Sequence, residues 1–164
     1  MDFAELYEKH FDKVYAYARC RLGTDAAAED ACSAVFGKTL EALGQYDPAR
    51  GEPVQWLFGI ARNEVNYALR RASIVSFLPL DLFGDIFRDK SGDGRAETDE
   101  AVRELNAALA GLDGKERDLI ALKFYSEMNK REIAAMTGLS ESNVGTILYR
   151  CMAKLRKKLA GEVL

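Results

Sequence analysis

Residues 130–159 read KREIAAMTGLSESNVGTILYRCMAKLRKKL. A short helical stretch, a Gly-Leu-Ser turn and a longer helical stretch follow one another. Gly138 can adopt the left-handed conformation that stops the first helix. Leu139 can fill the joint, and Ser140 can cap the second helix with its hydroxyl. Beyond it Val144, Leu148, Met152 (or Cys151), Leu155 and Leu159 recur at helical spacing, which predicts one buried and one free face. This is the pattern of a helix-turn-helix, whose second helix is the one offered to a DNA major groove. Its end carries Arg150, Lys154, Arg156, Lys157 and Lys158, the one dense basic patch of the chain. Such a patch either complements the helix dipole in solvent or contacts phosphate, and the preceding turn favours phosphate.

The rest of the chain is read outward from that motif. With 164 residues, 48% of them apolar, it can bury a real core, in one medium domain or two small helical ones. Only 3 prolines occur, and no series of short β-branched strands, so the expected class is all-α. No apolar run approaches the length of a membrane span, and the first residues lack the pattern of a signal peptide. A cytoplasmic protein without membrane insertion is expected. The net charge of −3 excludes bulk coating of nucleic acid. It is unevenly spread: residues 1–71 sum to −2, 72–99 to −3 and 100–164 to +2. Cys20, Cys32 and Cys151 form no CxxC pair and are expected to be reduced, small, mostly buried hydrophobes.

Residues 3–22 place Phe3, Leu6, Tyr7, Phe11, Val14, Tyr15, Ala18 and Leu22 on one helical face. After Gly23-Thr24-Asp25 a second helix buries Ala28, Ala31, Cys32, Val35, Phe36, Thr39, Leu40 and Leu43. Turn residues follow at 46–51, and Pro53 opens a third helix carrying Trp56, Leu57, Ile60, Ala61, Val65, Ala68 and Leu69. These three make one small bundle. A second begins near Thr98, with Val102, Leu105, Leu109 and Leu112, then Leu119, Ile120, Leu122 and Phe124. The expected organisation is a domain at 1–73, a connector at 74–99 and a second domain at 100–164.

The first block reads Phe3-Ala-Glu-Leu-Tyr7, Ala28-Glu-Asp30, Tyr46-Asp-Pro-Ala-Arg-Gly51, Trp56-Leu-Phe-Gly-Ile-Ala-Arg-Asn63 and Arg70-Arg71. The second runs from Leu105 to Leu159 through Ile133-Ala134 and Leu139-Ser-Glu141. In order and spacing the chain resembles the two-domain extracytoplasmic-function (ECF) sigma factors of bacterial RNA polymerase, of the sigma-70 family. The resemblance implies two helical bundles, matching that family's regions 2 and 4, and a non-enzymatic initiation factor whose partners are core RNA polymerase and promoter DNA. An anti-sigma factor is a further expected partner. It implies that the helix from Asp25 to Leu43 docks on the polymerase clamp, with Asp30, Ser33, Phe36 and Lys38 as contacts. The −10 element would be read and melted by Asp47 and Arg50 of the turn and by Arg62, Asn63, Asn66, Tyr67, Arg70 and Arg71 of the third helix. Flipped bases need polar and aromatic groups to hold them, and arginines suit the backbone. The −35 element would fall to Ser140, Ser142, Asn143, Thr146, Ile147, Arg150 and Lys154. The chain departs from the family at Ser33 and Ala34, where a Gln-Glu pair is usual, and at Leu40, often Trp. Gly145 and Ile147 stand where Lys and Arg are common. These departures imply weak independent −35 binding, which a second attachment through polymerase can offset. They also keep open an alternative, a sigma-like DNA-binding or partner-binding regulator that does not itself initiate transcription.

Two features of the connector are separate from the resemblance. Asp89, Ser91, Asp93, Gly94, Glu97 and Glu100, with the Arg95 carbonyl, fit the spacing of a 12-residue EF-hand calcium loop. The competing reading is a solvated acidic linker, which is favoured: position 8 is Ala96, position 3 is serine and no second loop pairs with it. No cofactor is required on either reading, and Ca2+ is expected only on the first. The apolar stretch Ile74–Phe87 has three open uses: a contact between the domains, a clasp holding them closed, or a surface for a partner. Enzymatic chemistry has no constellation here. His10 is the only histidine and is expected at a surface or boundary, and no phosphate-cradling loop or nucleophile-base pair occurs.

Overall fold

The computed structural model describes residues 1–76 and 100–161. Among them every regular element is helical: α1 Phe3–Leu22, α2 Asp25–Glu41, α3 Pro53–Ser76, α4 Glu100–Ala110, α5 Gly114–Tyr125, α6 Lys130–Thr137 and α7 Glu141–Leu159. Single 3-10 turns at Leu43–Gln45 and Pro48–Arg50 join α2 to α3.

The helix boundaries follow from local chemistry. The Asp2 carboxylate accepts from the Ala4 N–H at 3.2 Å to start α1. Gly23 ends it at φ +84°, where a Cβ would be strained. Thr24 then caps α2, accepting from Ala27 N at 3.3 Å. Asp25 clamps the joint, taking hydrogen bonds from Tyr15 Oη and Arg19 Nε, both at 2.9 Å. In the second half α5 and α6 each open with a reciprocal capping box, Asp113 with Glu116 and Asn129 with Glu132. Gly138 at φ +76° stops α6, and Ser140 accepts from Asn143 N at 3.1 Å to start α7.

The first bundle packs Val14, Tyr17 and Ala18 against Ala28, Ala31, Cys32 and Val35, and both against Leu57, Phe58, Ala61 and Val65, all at most 6% exposed. Tyr17 meets Phe58 edge-on at 5.5 Å between ring centres. The second bundle gathers Leu112, Leu119, Ile120, Leu122, Ile133, Val144, Leu148, Cys151 and Leu155. Each large aliphatic or aromatic side chain so enclosed contributes about 1.5–3 kcal/mol. The bundles do not stand apart: α1 lies against α2 and α3 on one side and α5 on the other.

Several local expectations are corrected. α2 ends at Glu41 rather than Leu43, and α3 continues past Arg71 to Ser76. Leu40 is 55% exposed, because the buried stripe of α2 runs through 28, 31, 32, 35, 36 and 39 and position 40 turns off it. Phe124 is 60% exposed for the same reason, lying off the stripe of α5. His10, expected at a surface or boundary, is instead buried at 4% exposed. The proposed calcium ligands Asp89, Ser91, Asp93, Arg95 and Glu97 lie outside the described residues. So do residues 77–87 of the apolar stretch. Glu100 opens α4 and pairs with Arg103 at 2.7 Å.

Candidate nucleic-acid interface

Three helix faces carry the expected contacts. On α7 the buried stripe of Val144, Leu148, Cys151 and Leu155 leaves Ser142, Asn143, Thr146 and Arg150 exposed, with Ser140 at the cap. The Thr146 hydroxyl donates to the Ser142 carbonyl at 3.0 Å. Tyr149 is 76% exposed on this face, beside Ser142, Gly145 and Thr146. It was absent from the sequence-derived set, although its spacing of three from Thr146 and seven from Ser142 places all three on one side. Two expected contacts point elsewhere. Ile147 is half-buried against the core. The Lys154 ammonium pairs with Glu116 of α5 at 2.5 Å, and that hydrogen bond raises its pKa. Glu116 gives one oxygen to its capping box and the other to Lys154.

On α3 the expected set splits. Asn63, Tyr67, Arg70 and Arg71 are exposed at helical spacing, with the Arg71 guanidinium 5.7 Å from the Tyr67 ring centre. Arg62 is turned toward the second bundle and Asn66 toward α1. Arg62 Nε donates to Asp118 Oδ2 at 2.9 Å, and its Nη1 reaches the Met136 carbonyl at 3.4 Å. Asn66 Oδ1 accepts from Arg21 Nη2 at 2.9 Å. Asp118 also takes Arg21 Nη1 at 2.6 Å and Tyr17 Oη at 2.9 Å. Burial and then the Asp118 charge push the Tyr17 phenol well above its ordinary pKa, so it remains a donor. In the adjoining turn Asp47 accepts from Ala49 N at 2.9 Å, and Arg50 is exposed.

Neither Arg21 nor Asp118 was legible as functional, yet each carries a signal. Arg21 follows Val14, Tyr17 and Ala18 at helical spacing, and Asp118 precedes Ala121, Leu122 and Tyr125 in the same way. A charge inside an apolar stripe needs a partner of opposite sign, and each supplies the other's.

On α2, Asp30, Ser33 and Lys38 are exposed and Lys38 pairs with Glu64 at 2.5 Å. Phe36 is not: it is 5% exposed beneath Tyr7, its ring centre 4.7 Å away, and close to Phe3 and Phe11. A shallow groove between α1 and α2 runs over Tyr7, Ser33, Gly37 and Leu40. No three metal-ligating side chains cluster among the described residues. Burial pushes the Cys32 and Cys151 thiols up to about 11, so both stay protonated at neutral pH. Among the described residues no helix is long and apolar enough to cross a membrane.

The family described as Sigma-70 region 2 matches residues 6–74, and that described as Sigma-70, region 4 matches residues 108–157. The chain belongs to the ECF branch of the sigma-70 family. Among ECF RNA polymerase sigma factors, it is 25% identical to SigM of Bacillus subtilis over 95% of this chain and 94% of that one. RpoE of Cereibacter sphaeroides is 27% identical, over 96% and 86%. BldN of Streptomyces coelicolor is 28% identical over 98% of this chain, which spans only 61% of that protein's length. Among solved structures, the sigma factor RpoE of Bartonella quintana, in complex with the anti-sigma factor NepR, superposes with a TM-score of 0.79 over 97% of both chains at 19% identity. CnrH in complex with the cytosolic domain of CnrY gives 0.68 at 23% identity, over 98% of this chain and 89% of that one. The fold of this sigma-70 family chain is therefore that of a sigma factor solved with an anti-sigma factor.

Proposed function

We propose that this ECF family chain directs core RNA polymerase to promoters, with α2 on polymerase, α3 on the −10 element and α7 on the −35 element. The supporting observation is the outward face of α7, where Ser142, Asn143, Thr146, Tyr149 and Arg150 are exposed together behind a stop at Gly138 and a cap at Ser140. Thr146 and Tyr149 can contact base edges and thymine methyls, and Arg150 a guanine or phosphate. On α3, Asn63 and Tyr67 suit unstacked bases, and Arg70 and Arg71 the backbone. The exposed face of α2, with Asp30, Ser33, Ala34 and Lys38, is the surface for polymerase. An anti-sigma protein is a further partner, because RpoE and CnrH, with this fold, were solved bound to NepR and CnrY.

The test is binding of the purified chain to bacterial core polymerase by fluorescence anisotropy, with and without calcium. Saturable binding that the primary sigma factor competes away is expected. Dependence on calcium would assign the 89–100 loop as a calcium site, and its absence would leave that loop an acidic linker. Failure to bind core, with specific binding to duplex DNA, would support the second reading, a regulator that does not initiate. Gly145 and Ile147 favour that reading, since neither offers α7 a charge for phosphate.

A further inference from the structure

Asp118 is the only buried carboxylate among the described residues, at 6% exposed. It projects from α5, and its three donors all come from the other bundle: Tyr17 and Arg21 on α1, Arg62 on α3. Asn66 braces Arg21 from behind. Two guanidiniums and a phenol thus converge on one anion. A carboxylate and a phosphodiester present the same thing to such a set: one negative charge on two oxygens that guanidinium forks can grip. Arg62 and Asn66 belong to the helix assigned above to the −10 element.

We propose that Tyr17, Arg21 and Arg62, with Asn66 holding Arg21 in place, form a binding site for a backbone phosphate of the melted promoter strand, and that Asp118 fills it with its own carboxylate while the bundles are docked. The inference rests on the reading of α3 as a promoter-strand helix. It adds Tyr17 and Arg21, on a helix not otherwise assigned to DNA, and it makes docking and strand binding mutually exclusive. Around the buried centre the polar ties are weak, beside the packing of α1 on α5. Lys13 pairs with Glu127, both substantially exposed, and Gln55 Nε2 donates to Glu132 at 2.6 Å. Displacing the central anion therefore leaves that packing and the rim pairs to hold the bundles together.

The test uses the full chain and a fluorescent single strand of mixed sequence, because a phosphate contact carries no base information. Asp118→Ala is expected to expand the chain in small-angle scattering and to bind the strand about tenfold or more tightly, with a salt slope steeper by about 0.7 per phosphate gained. Adding Arg21→Ala should abolish the gain. Expansion without a gain in binding, or neither change, overturns the proposal. So does equal competition by inorganic phosphate at matched phosphate concentration, which would mark a general anion pocket. If Asp118→Ala loses its helical circular dichroism, Lys13→Ala with Gln55→Ala loosens only the rim. That pair should shift binding in the same direction by a few-fold, and no shift overturns the proposal. Core polymerase binding is measured on the same samples. If the variants bind core but gain nothing on the strand, the phosphate site fails and the sigma reading stands; if none binds core, the sigma reading itself fails.

Discussion

α3 and α7 are both amphipathic helices that bury one stripe and turn polar residues the other way, but only α7 keeps its outward set together. Ser142, Asn143, Thr146, Tyr149 and Arg150 all reach solvent. On α3, Asn63, Tyr67, Arg70 and Arg71 do so, while Arg62 and Asn66 join the network around Asp118. The difference lies in what each helix packs against. The buried side of α7 meets α4, α5 and α6, all in its own bundle, whereas α3 borders the junction between bundles. A side chain at a junction can serve stability or recognition but not both at once, because its hydrogen bonds are already made.

The comparison breaks most visibly through the core. Leu57→Ala, at a fully buried α3 position, should cost about 2–5 kcal/mol in urea denaturation. One shifted transition would show that the bundles unfold together, and a second unshifted one would show that docking is the weaker link. A sharper contrast pairs two arginines. Arg62→Ala removes a charged hydrogen bond to a buried carboxylate and should destabilise by about 1.5–3 kcal/mol. Arg150→Ala should leave stability within about 0.5 kcal/mol, yet lower duplex affinity and flatten its salt slope by about one. Equal stability losses at the two sites would erase the distinction between a tied helix and a free one.

Smaller effects probe α7 itself. Gly145→Ala should stabilise by about 1 kcal/mol through helix propensity. The added Cβ meets only the Lys130 side chain, at an ordinary 3.7 Å. Ser140→Ala should cost about 1 kcal/mol by removing the cap. Thermal melts of the two variants against the parent check both signs.

The least effect is expected from pH. Burial, then the charges of Lys13 and Lys9, hold the His10 imidazole below its ordinary 6.5. The unfolded chain therefore takes up the proton first, and stability is full above 6.5 and falls as pH drops from there through the folded-state value. Asp2, Glu5, Glu52 and Glu127 line the same recess. Melting temperature should decline in mildly acidic buffer, and His10→Gln should flatten the decline over that range.

Local pattern made most of the fold legible. Thr24, Gly138 and Ser140 mark helix ends that the structure uses, and the stripes of α1, α3 and α7 follow the periodicity of their apolar residues except at Tyr7 and Leu159, which are exposed. Packing between distant segments was harder to read. Leu40 and Phe124 look apolar enough to bury, but their angle on the helix, not their hydrophobicity, decides. His10 becomes buried in a recess formed with Glu52, Pro53, Val54 and Glu127, which no window around residue 10 contains. For the interface the sequence supplied residue types and α7's outward face, apart from Tyr149. It could not show that Arg62, Asn66, Phe36 and Lys154 have partners within the chain, because the nearest of those partners lie 25 to 56 positions away.

The docking of α1 on α5 joins two parts of one polypeptide, so its equilibrium has no concentration in it. Making more of the protein raises open and closed forms in the same ratio, and dilution separates nothing. A cell that wanted the α3 residues released would have to supply a competitor for one of the two faces. The ratio can then be set only by what else the chain meets, never by how much of it there is.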